Sequence, residues 1–254
     1  MSVSALTKGG MAAAALVVLA VGIYVVRSTL GPRVVLSIPA SAVAAPVGDL
    51  PNIPNKQPPA SFSLDGCPPE GRGGDEQLNL LKNRSDPGDY TVVSFDSLTA
   101  LTWPKNIERL PMDQWPDASR NFISQYEGTP ITVEGYIVRL QEGLPEPADC
   151  NWTSSGYLDW HLSFTKNARD ERSQSLLAEV TPRIRMMHRW TIDSIHSVIM
   201  DEHVQVRLSG WLYFDPEHPG DLGVTRVTLW EINPVMQIEV LYKNRWVPLD
   251  TLAK

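Results

Sequence analysis

The stretch VQVRLSGWLYFD, which covers residues 204–215, decides the fold of this chain. From Val204 to Phe214 every second residue is apolar or glycine, and residues such as Arg207 and Ser209 stand between them. An alternation with a period of two predicts a β-strand that buries one face. A lone strand cannot hide that face, so the rest of the domain has to cover it.

A second long strand follows the first after a short connection. Residues 215–220 contain two prolines and a glycine, which fix the backbone of a turn. From about Thr225 the chain places Trp230 on one face and Glu231 with Asn233 on the other. We therefore predict a long bent hairpin.

Further strands can be counted upstream of this hairpin. The patterns predict three strands and a capped helix: Ile131–Ile137 with Gly135 at its centre, Leu158–Phe164, Leu176–Thr181, and a helix that starts after Thr191. Three strands, a helix and two strands is the order of the five-stranded Greek-key barrel called the OB-fold. We predict a mainly β fold with an OB-fold-like barrel over residues 129–254. A generic antiparallel sheet with a helix is the alternative.

The N-terminal part of the chain has the composition of a membrane anchor. Residues 9–26 read GGMAAAALVVLAVGIYVV without a charge. Extended to residue 30, the stretch reaches the roughly 20 residues that cross a bilayer. We predict a short head over residues 1–8 and a transmembrane helix over residues 9–30. A cleaved signal peptide is the alternative, although the small-residue pattern at 42–44 lies far beyond the apolar core.

Two segments separate this anchor from the barrel. Residues 31–74 are rich in proline, alanine and glycine, which predicts an extended spacer. Residues 75–128 are too short for a core of their own, so we predict a lead-in segment that caps the barrel.

The two cysteines bear on the compartment. A disulfide between Cys67 and Cys150 would pin the spacer to the domain in an oxidising environment, and two unrelated thiols are the alternative. Positive charges on the two sides of the span are nearly balanced, so the spacer and the cysteines decide the orientation. We predict a single-pass membrane protein with its C-terminal domain outside the cytoplasm, in the periplasm if the cell is Gram-negative.

Polar residues on several predicted strands and turns form a candidate site. They are Asp159, His161, Glu179, Asp215, His218, Glu231 and Asn233. Residues two apart on a strand point the same way, so these side chains are expected to converge on one groove. Three interpretations stay open: a hydrogen-bonded lattice, a ligand site that includes a divalent metal, or an acid and base pair. The sequence contains no zinc spacing, phosphate loop or serine elbow, so no cofactor or metal is predicted.

A second candidate surface is basic and aromatic. Its residues are Arg183, Arg185, Arg189, Trp190, Trp211 and Tyr213. OB-folds bind single strands through such pairings of charges and stacked rings. The net charge of −7 argues against nucleic acid, and a solvated loop is the alternative. A protein or an envelope polymer is the partner that we expect.

The motifs around the polar cluster resemble those of a group of uncharacterised bacterial proteins. The stretches that carry the resemblance are Asp159–Leu162, Glu179–Pro182, Gly210–His218 and Trp230–Val235. The group is similar in having D-x-H, E-x-P, F-D-x-x-H and E-I/L-H-P-V in this order, and it implies an OB-fold-like domain without a known activity. Asn233 departs from the histidine that the group often has, which puts a metal site there in doubt.

Two functions follow from the sequence. The first is a membrane-tethered binding or scaffold module, and we favour it over catalysis. The alternative is a metal-assisted, nuclease-like hydrolase that uses Asp159, His161, Glu179 and Glu231.

Overall fold

A computed structural model describes residues 48–51, 53 and 56–253, which belong to a single compact unit. The predicted head and anchor, residues 1–30, lie outside the described residues, as does most of the spacer before residue 56. Within the described ranges, every helix is too short or too polar to cross a membrane.

The described residues form seven strands and six α-helices. The strands are β1 (Thr91–Val93), β2 (Pro130–Glu142), β3 (Trp160–Thr165), β4 (Leu176–Val180), β5 (Val206–Phe214), β6 (Trp230–Tyr242) and β7 (Arg245–Pro248). The helices are α1 (Glu76–Lys82), α2 (Phe95–Thr99), α3 (Asp117–Ser124), α4 (Pro182–Arg185), α5 (Ile192–Ile195) and α6 (Leu249–Leu252). Short 3-10 turns connect several of them.

Five of the strands close into a barrel. The neighbours run β2–β3–β4–β6–β5, and β5 pairs back with β2. All of these pairings are antiparallel except β4 with β6, which is parallel. Strand β1 adds to β2 in parallel, and β7 adds to β6. The prediction of a mainly β domain with a five-stranded barrel is therefore confirmed, and a few helices accompany the barrel.

The predicted long hairpin is formed by β5 and β6. Its first strand lies where the alternation predicts it, whereas the second begins at Trp230 and not near Thr225. The connection is longer because residues between the strands make their own turn, with a 3-10 helix at Pro219–Asp221 and a contact from Gly223 N to the Arg226 carbonyl, 2.8 Å.

Two mid-strand glycines allow the barrel to close. A Cβ atom on Gly135 would lie 2.4 Å from the Thr165 carbonyl oxygen, and one on Gly210 would lie 2.4 Å from the Pro234 carbonyl oxygen. Strand register shifts beside Gly210, where β5 bends against β6. Close backbone approach therefore excludes any side chain at these two positions.

The barrel interior is filled by the apolar face of each strand. Leu162, Phe164, Leu208, Leu212 and Ile232 are all buried. Their period of two leaves the alternate residues on the outer face of the barrel.

The helix between β4 and β5 begins as the sequence predicts. Thr191 accepts a hydrogen bond from Ser194 N and forms a capping box. Helix α5 then continues into a π-helical turn, His196–Met200, and Ile195 and Ile199 are buried beneath it.

The chain before β2 packs against the barrel. Trp230 Nε1 donates to the Thr102 carbonyl, 3.2 Å, and Gly128 N donates to the Leu212 carbonyl, 2.7 Å. Part of the expected spacer also lies against the barrel, because Cys67 is fully buried and forms a disulfide with Cys150.

Candidate functional site

A cavity of about 290 Å³ opens on the outer face of β3 and β4. Two loops border it: the connection from β2 to β3 and the connection from β5 to β6. Eleven of its thirteen lining residues are polar or charged; the full set is Lys82, Gln141, Leu144, Glu146, His161, Arg172, Leu177, Glu179, Asp215, His218, Asp221, Thr225 and Arg226. Four of the seven residues in the predicted cluster therefore face this cavity, namely His161, Glu179, Asp215 and His218.

Strand register explains why two of these side chains meet. His161 on β3 stands directly opposite Glu179 on β4, and neither belongs to the core. His161 Nε2 lies 3.2 Å from Glu179 Oε1. The two atoms are not aligned for a hydrogen bond, and Nε2 is shielded from solvent without a hydrogen-bond partner among the described residues.

Glu231 and Asn233 lie behind the cavity wall, on the outer face of β6. The parallel pairing of β4 with β6 brings them beside Glu179. Asn233 Nδ2 donates to Glu179 Oε2 at 2.6 Å and to Glu231 Oε2 at 3.4 Å. Asn233 is thus a bridge between two buried carboxylates.

Arg226 is a residue of the site that sequence reasoning missed. It precedes β6 in an irregular loop, where no periodicity marks it. Its Nη1 pairs with Glu231 and lies 3.0 Å from Asp215 Oδ2. Burial alone would lower the pKa of Arg226, but Glu231 and then Asp215 raise it. Burial raises the pKa of Glu231 well above its ordinary value, even though Arg226 acts in the opposite direction.

Asp215 and His218 form a pair at the mouth of the cavity. His218 Nδ1 lies 2.9 Å from Asp215 Oδ2, and Glu217 N donates to Asp215 Oδ1 at 2.8 Å. Burial acts to raise the pKa of Asp215, but the His218 hydrogen bond and Arg226 together hold it well below its usual range. The same hydrogen bond raises the pKa of His218, against the smaller effect of burial.

Lys82 and Glu146 complete the opposite wall, and no sequence pattern marks either residue. Lys82 belongs to α1 and Glu146 to the loop between β2 and β3, and Lys82 Nζ lies 2.9 Å from Glu146 Oε2. Burial alone would raise the pKa of Glu146, but Lys82 lowers it. Burial alone would lower the pKa of Lys82, and Glu146 raises it well above its ordinary value.

Asp159 does not line the cavity. It precedes β3, so the alternation of that strand does not place its side chain beside His161. Both carboxyl oxygens are buried, and the side chain within hydrogen-bond reach of them is Asp149. Burial, followed by the neighbouring Asp149 carboxylate, raises the pKa of Asp159 well above its ordinary value.

The predicted basic and aromatic residues do not form one exposed surface. Arg183, Trp190, Trp211 and Tyr213 are buried. Trp211 stacks under Arg84, with the guanidinium carbon 3.2 Å from the ring centroid.

The two other arginines of that set are placed differently. Arg185 lies over Trp160, 4.5 Å from the ring centroid, and donates to the Leu158 carbonyl, 2.7 Å. Arg189 is exposed. Barrel closure thus scatters residues that are close together in the sequence.

Comparison with known proteins gives no match that bears on this site. No model of a known protein family matches the chain, and neither the curated proteins nor the solved structures give a significant similarity. The motif resemblance therefore stays a proposal, and the spacing of one motif differs from that of the group. Glu179 and Pro182 are separated by two residues, one more than in E-x-P.

Proposed function

We propose that this protein is a membrane-tethered, extracytoplasmic OB-fold-like binding module. The strand order with its β2–β5 closure and parallel β4–β6 pairing supports the OB-fold assignment. The disulfide between Cys67 and Cys150 supports an oxidising compartment. The anchor over residues 9–30 completes the proposal from the sequence.

The position of the cavity carries the binding function. OB barrels bind oligosaccharides and oligonucleotides on the face of their second and third strands, between the first and the fourth inter-strand loops. The cavity lies at this place, on β3 and β4, between the β2–β3 and β5–β6 loops. Because a fold does not by itself define a function, the chemistry of the lining has to supply the ligand class.

The lining favours a neutral polar ligand with many hydroxyl groups. Carboxylates and cationic groups alternate around the cavity, so they offer acceptors and donors in similar number. A nucleic acid strand would bring its phosphates against Glu146, Glu179 and Asp215. A sugar unit of an envelope polymer fits both the volume of about 290 Å³ and this balance.

Calorimetric titration of the detergent-purified full chain tests the proposal. The probes are a chitin-type tetrasaccharide and a twelve-nucleotide single-stranded DNA. We expect binding of the saccharide, loss of that binding in Leu177→Trp, which fills the cavity, and no loss in Val92→Trp on the exposed side of β1. Binding of DNA in place of the saccharide would overturn the ligand class. Saccharide binding that Leu177→Trp leaves intact would overturn the site.

Metal-assisted hydrolysis is the second candidate function. One observation favours it: single ligand atoms of Glu146, His161 and Glu179 lie within 4.8 Å of one another at the open cavity. A metal ion with a free coordination position can activate water for hydrolysis. Turnover of a chromogenic phosphodiester by the zinc-loaded protein tests this candidate, and loss of turnover in Glu179→Gln is the expected control result.

A further inference from the structure

We propose that Glu146, His161 and Glu179 form a binding site for one divalent transition-metal ion, with Zn²⁺ as the best fit. The site differs from the set expected from the sequence, since it adds Glu146 and leaves out Asp159 and Glu231. The inference does not rest on saccharide binding, because metal uptake is measured without any other ligand.

The separations between the candidate ligand atoms suit a metal ion. His161 Nε2 lies 3.2 Å from Glu179 Oε1 and 4.0 Å from Glu146 Oε1. Bonds of about 2.0–2.1 Å to a tetrahedral zinc ion place neighbouring ligand atoms about 3.4 Å apart. The observed distances lie on both sides of this value. Three protein ligands would leave the fourth position open to the cavity.

Each carboxylate is oriented by a second contact. Glu146 turns Oε2 toward Lys82 Nζ, 2.9 Å away, and Glu179 turns Oε2 toward Asn233 Nδ2, 2.6 Å away. The Oε1 atoms of both residues are thereby left facing His161. Metal sites hold their carboxylate ligands in this way, through outer contacts that fix one oxygen and free the other.

His161 supplies an independent observation. Its Nε2 atom is shielded from solvent and has no hydrogen-bond partner among the described residues, although two carboxylates lie close to it. A buried nitrogen without a partner is costly unless a ligand satisfies it. A metal ion between Nε2 and the two Oε1 atoms removes this cost and the repulsion between the carboxylates.

The three side chains also narrow the choice of metal. A mixed set of one imidazole and two carboxylates suits Zn²⁺, Mn²⁺ or Fe²⁺ better than Mg²⁺, which prefers oxygen ligands alone.

Two other buried carboxylates of the site, Glu231 and Asp215, lack free ligand atoms. Glu231 gives Oε1 to Arg226 and Oε2 to Asn233. Asp215 accepts from Glu217 N at Oδ1, and its Oδ2 atom contacts His218 Nδ1 and Arg226 Nη1. In the cluster of Asp215, Glu217 and His218, the Asp215 carboxylate is thus already engaged by protein groups, and we assign no metal to this cluster.

Zinc uptake by the full chain tests this site. The chain is purified in detergent without an affinity tag, stripped with chelator and dialysed against Zn²⁺, and bound metal is counted by elemental analysis. We expect one zinc per chain, and a weakening of about 100-fold or more in Glu146→Gln, His161→Asn and Glu179→Gln. Asn233→Ala, which removes an orienting contact, should weaken binding by about 10-fold.

Matched controls and a second readout separate a built site from adventitious metal. Glu202→Gln and His203→Asn change exposed residues outside the cavity and should bind zinc like the wild type. Zinc should raise the melting temperature of the wild type and leave that of His161→Asn unchanged. Equal zinc uptake by wild type and His161→Asn, or no uptake by the wild type in tenfold excess of zinc, would refute the site. Saccharide binding is titrated separately, in the presence of chelator. A failure of the metal site would therefore not decide whether the protein binds saccharide.

Discussion

His161 Nε2 on β3 lies 3.2 Å from Glu179 Oε1 on β4, because the register of the two strands makes these residues direct partners. Both side chains point away from the core into a cavity that the N-terminal lead-in partly covers. The contact unites two motifs that are 18 residues apart in the sequence, and the proposed metal site depends on it.

Replacement of Arg183 by lysine should destabilise the domain strongly. Arg183 is 0% exposed, and its guanidinium donates to Asp149, to Asn83 and to the carbonyls of Phe62, Cys67 and Pro68. A lysine cannot supply five donors in this planar arrangement, so buried acceptors lose their partners. We expect a loss of at least about 2 kcal/mol in the free energy of unfolding by urea.

Arg189→Lys is the control for this substitution. Arg189 is exposed, so the free energy of unfolding should stay within about 0.5 kcal/mol of the wild type. Equal stability of the two variants would contradict a structural role of Arg183.

Removal of the Cys67–Cys150 disulfide should loosen the segment before the barrel. The bridge closes a loop with a sequence separation of 83 residues. The double variant Cys67→Ser and Cys150→Ser should lose about 2–5 kcal/mol of unfolding free energy. Limited proteolysis should then cut the chain before α1 in the variant and spare the wild type. Two freely alkylated thiols in native wild-type protein would show that the bridge does not form.

The His218–Asp215 pair should make stability depend on pH above neutrality. Because the folded-state pKa of His218 is raised, the stabilisation is fully present below the unfolded pKa of about 6.5 and is lost as pH rises through the folded pKa. His218 is half-exposed, so the effect should stay below about 1 kcal/mol. His218→Asn keeps a donor near Asp215 without a titration and should flatten this dependence.

Urea unfolding at pH 6 and pH 9 measures the change. His203→Asn, at an exposed histidine, is the control and should follow the wild-type pH dependence. A His218→Asn variant that keeps the full wild-type slope would disprove the role of this pair.

Gly210→Ala should destabilise the barrel more than the same substitution at a glycine with open space around it. The new Cβ atom would meet the Pro234 carbonyl oxygen at 2.4 Å and Ile232 Cγ2 at 2.7 Å, so β6 would have to move. Overpacking of this kind costs about 1–3 kcal/mol. Gly156→Ala is the control, because no atom of the described residues lies within 4 Å of its Cβ position. Thermal melts of the two variants decide the point, and equal melting temperatures would argue against the close approach.

Carbonate extraction of the native protein tests the predicted membrane anchor. The uncharged run of residues 9–26 predicts that the full-length chain stays with membranes during carbonate extraction. Release of a shorter soluble form that starts near Ala45 would show that a signal peptide is cleaved.

The sequence by itself determined most of the strands, and their order predicted the barrel. Alternation with a period of two is a local property, so β2, β3, β5 and much of β6 can be read from the residues that build them. The glycines at 135 and 210 mark the bends for the same reason, since only the absent side chain matters there. Asp215 and His218 could be predicted as neighbours because one short turn contains both.

Only the tertiary structure decided which polar groups share the cavity. Glu146, Lys82 and Arg226 lie in a loop, a short helix and an irregular connection, where no periodicity fixes the direction of a side chain. Closure of the barrel and packing of α1 across it bring these groups within contact of β3 and β4. The same closure buries Arg183 and Trp211 in separate places, because long-range packing, and not proximity along the chain, determines which charges lose their water.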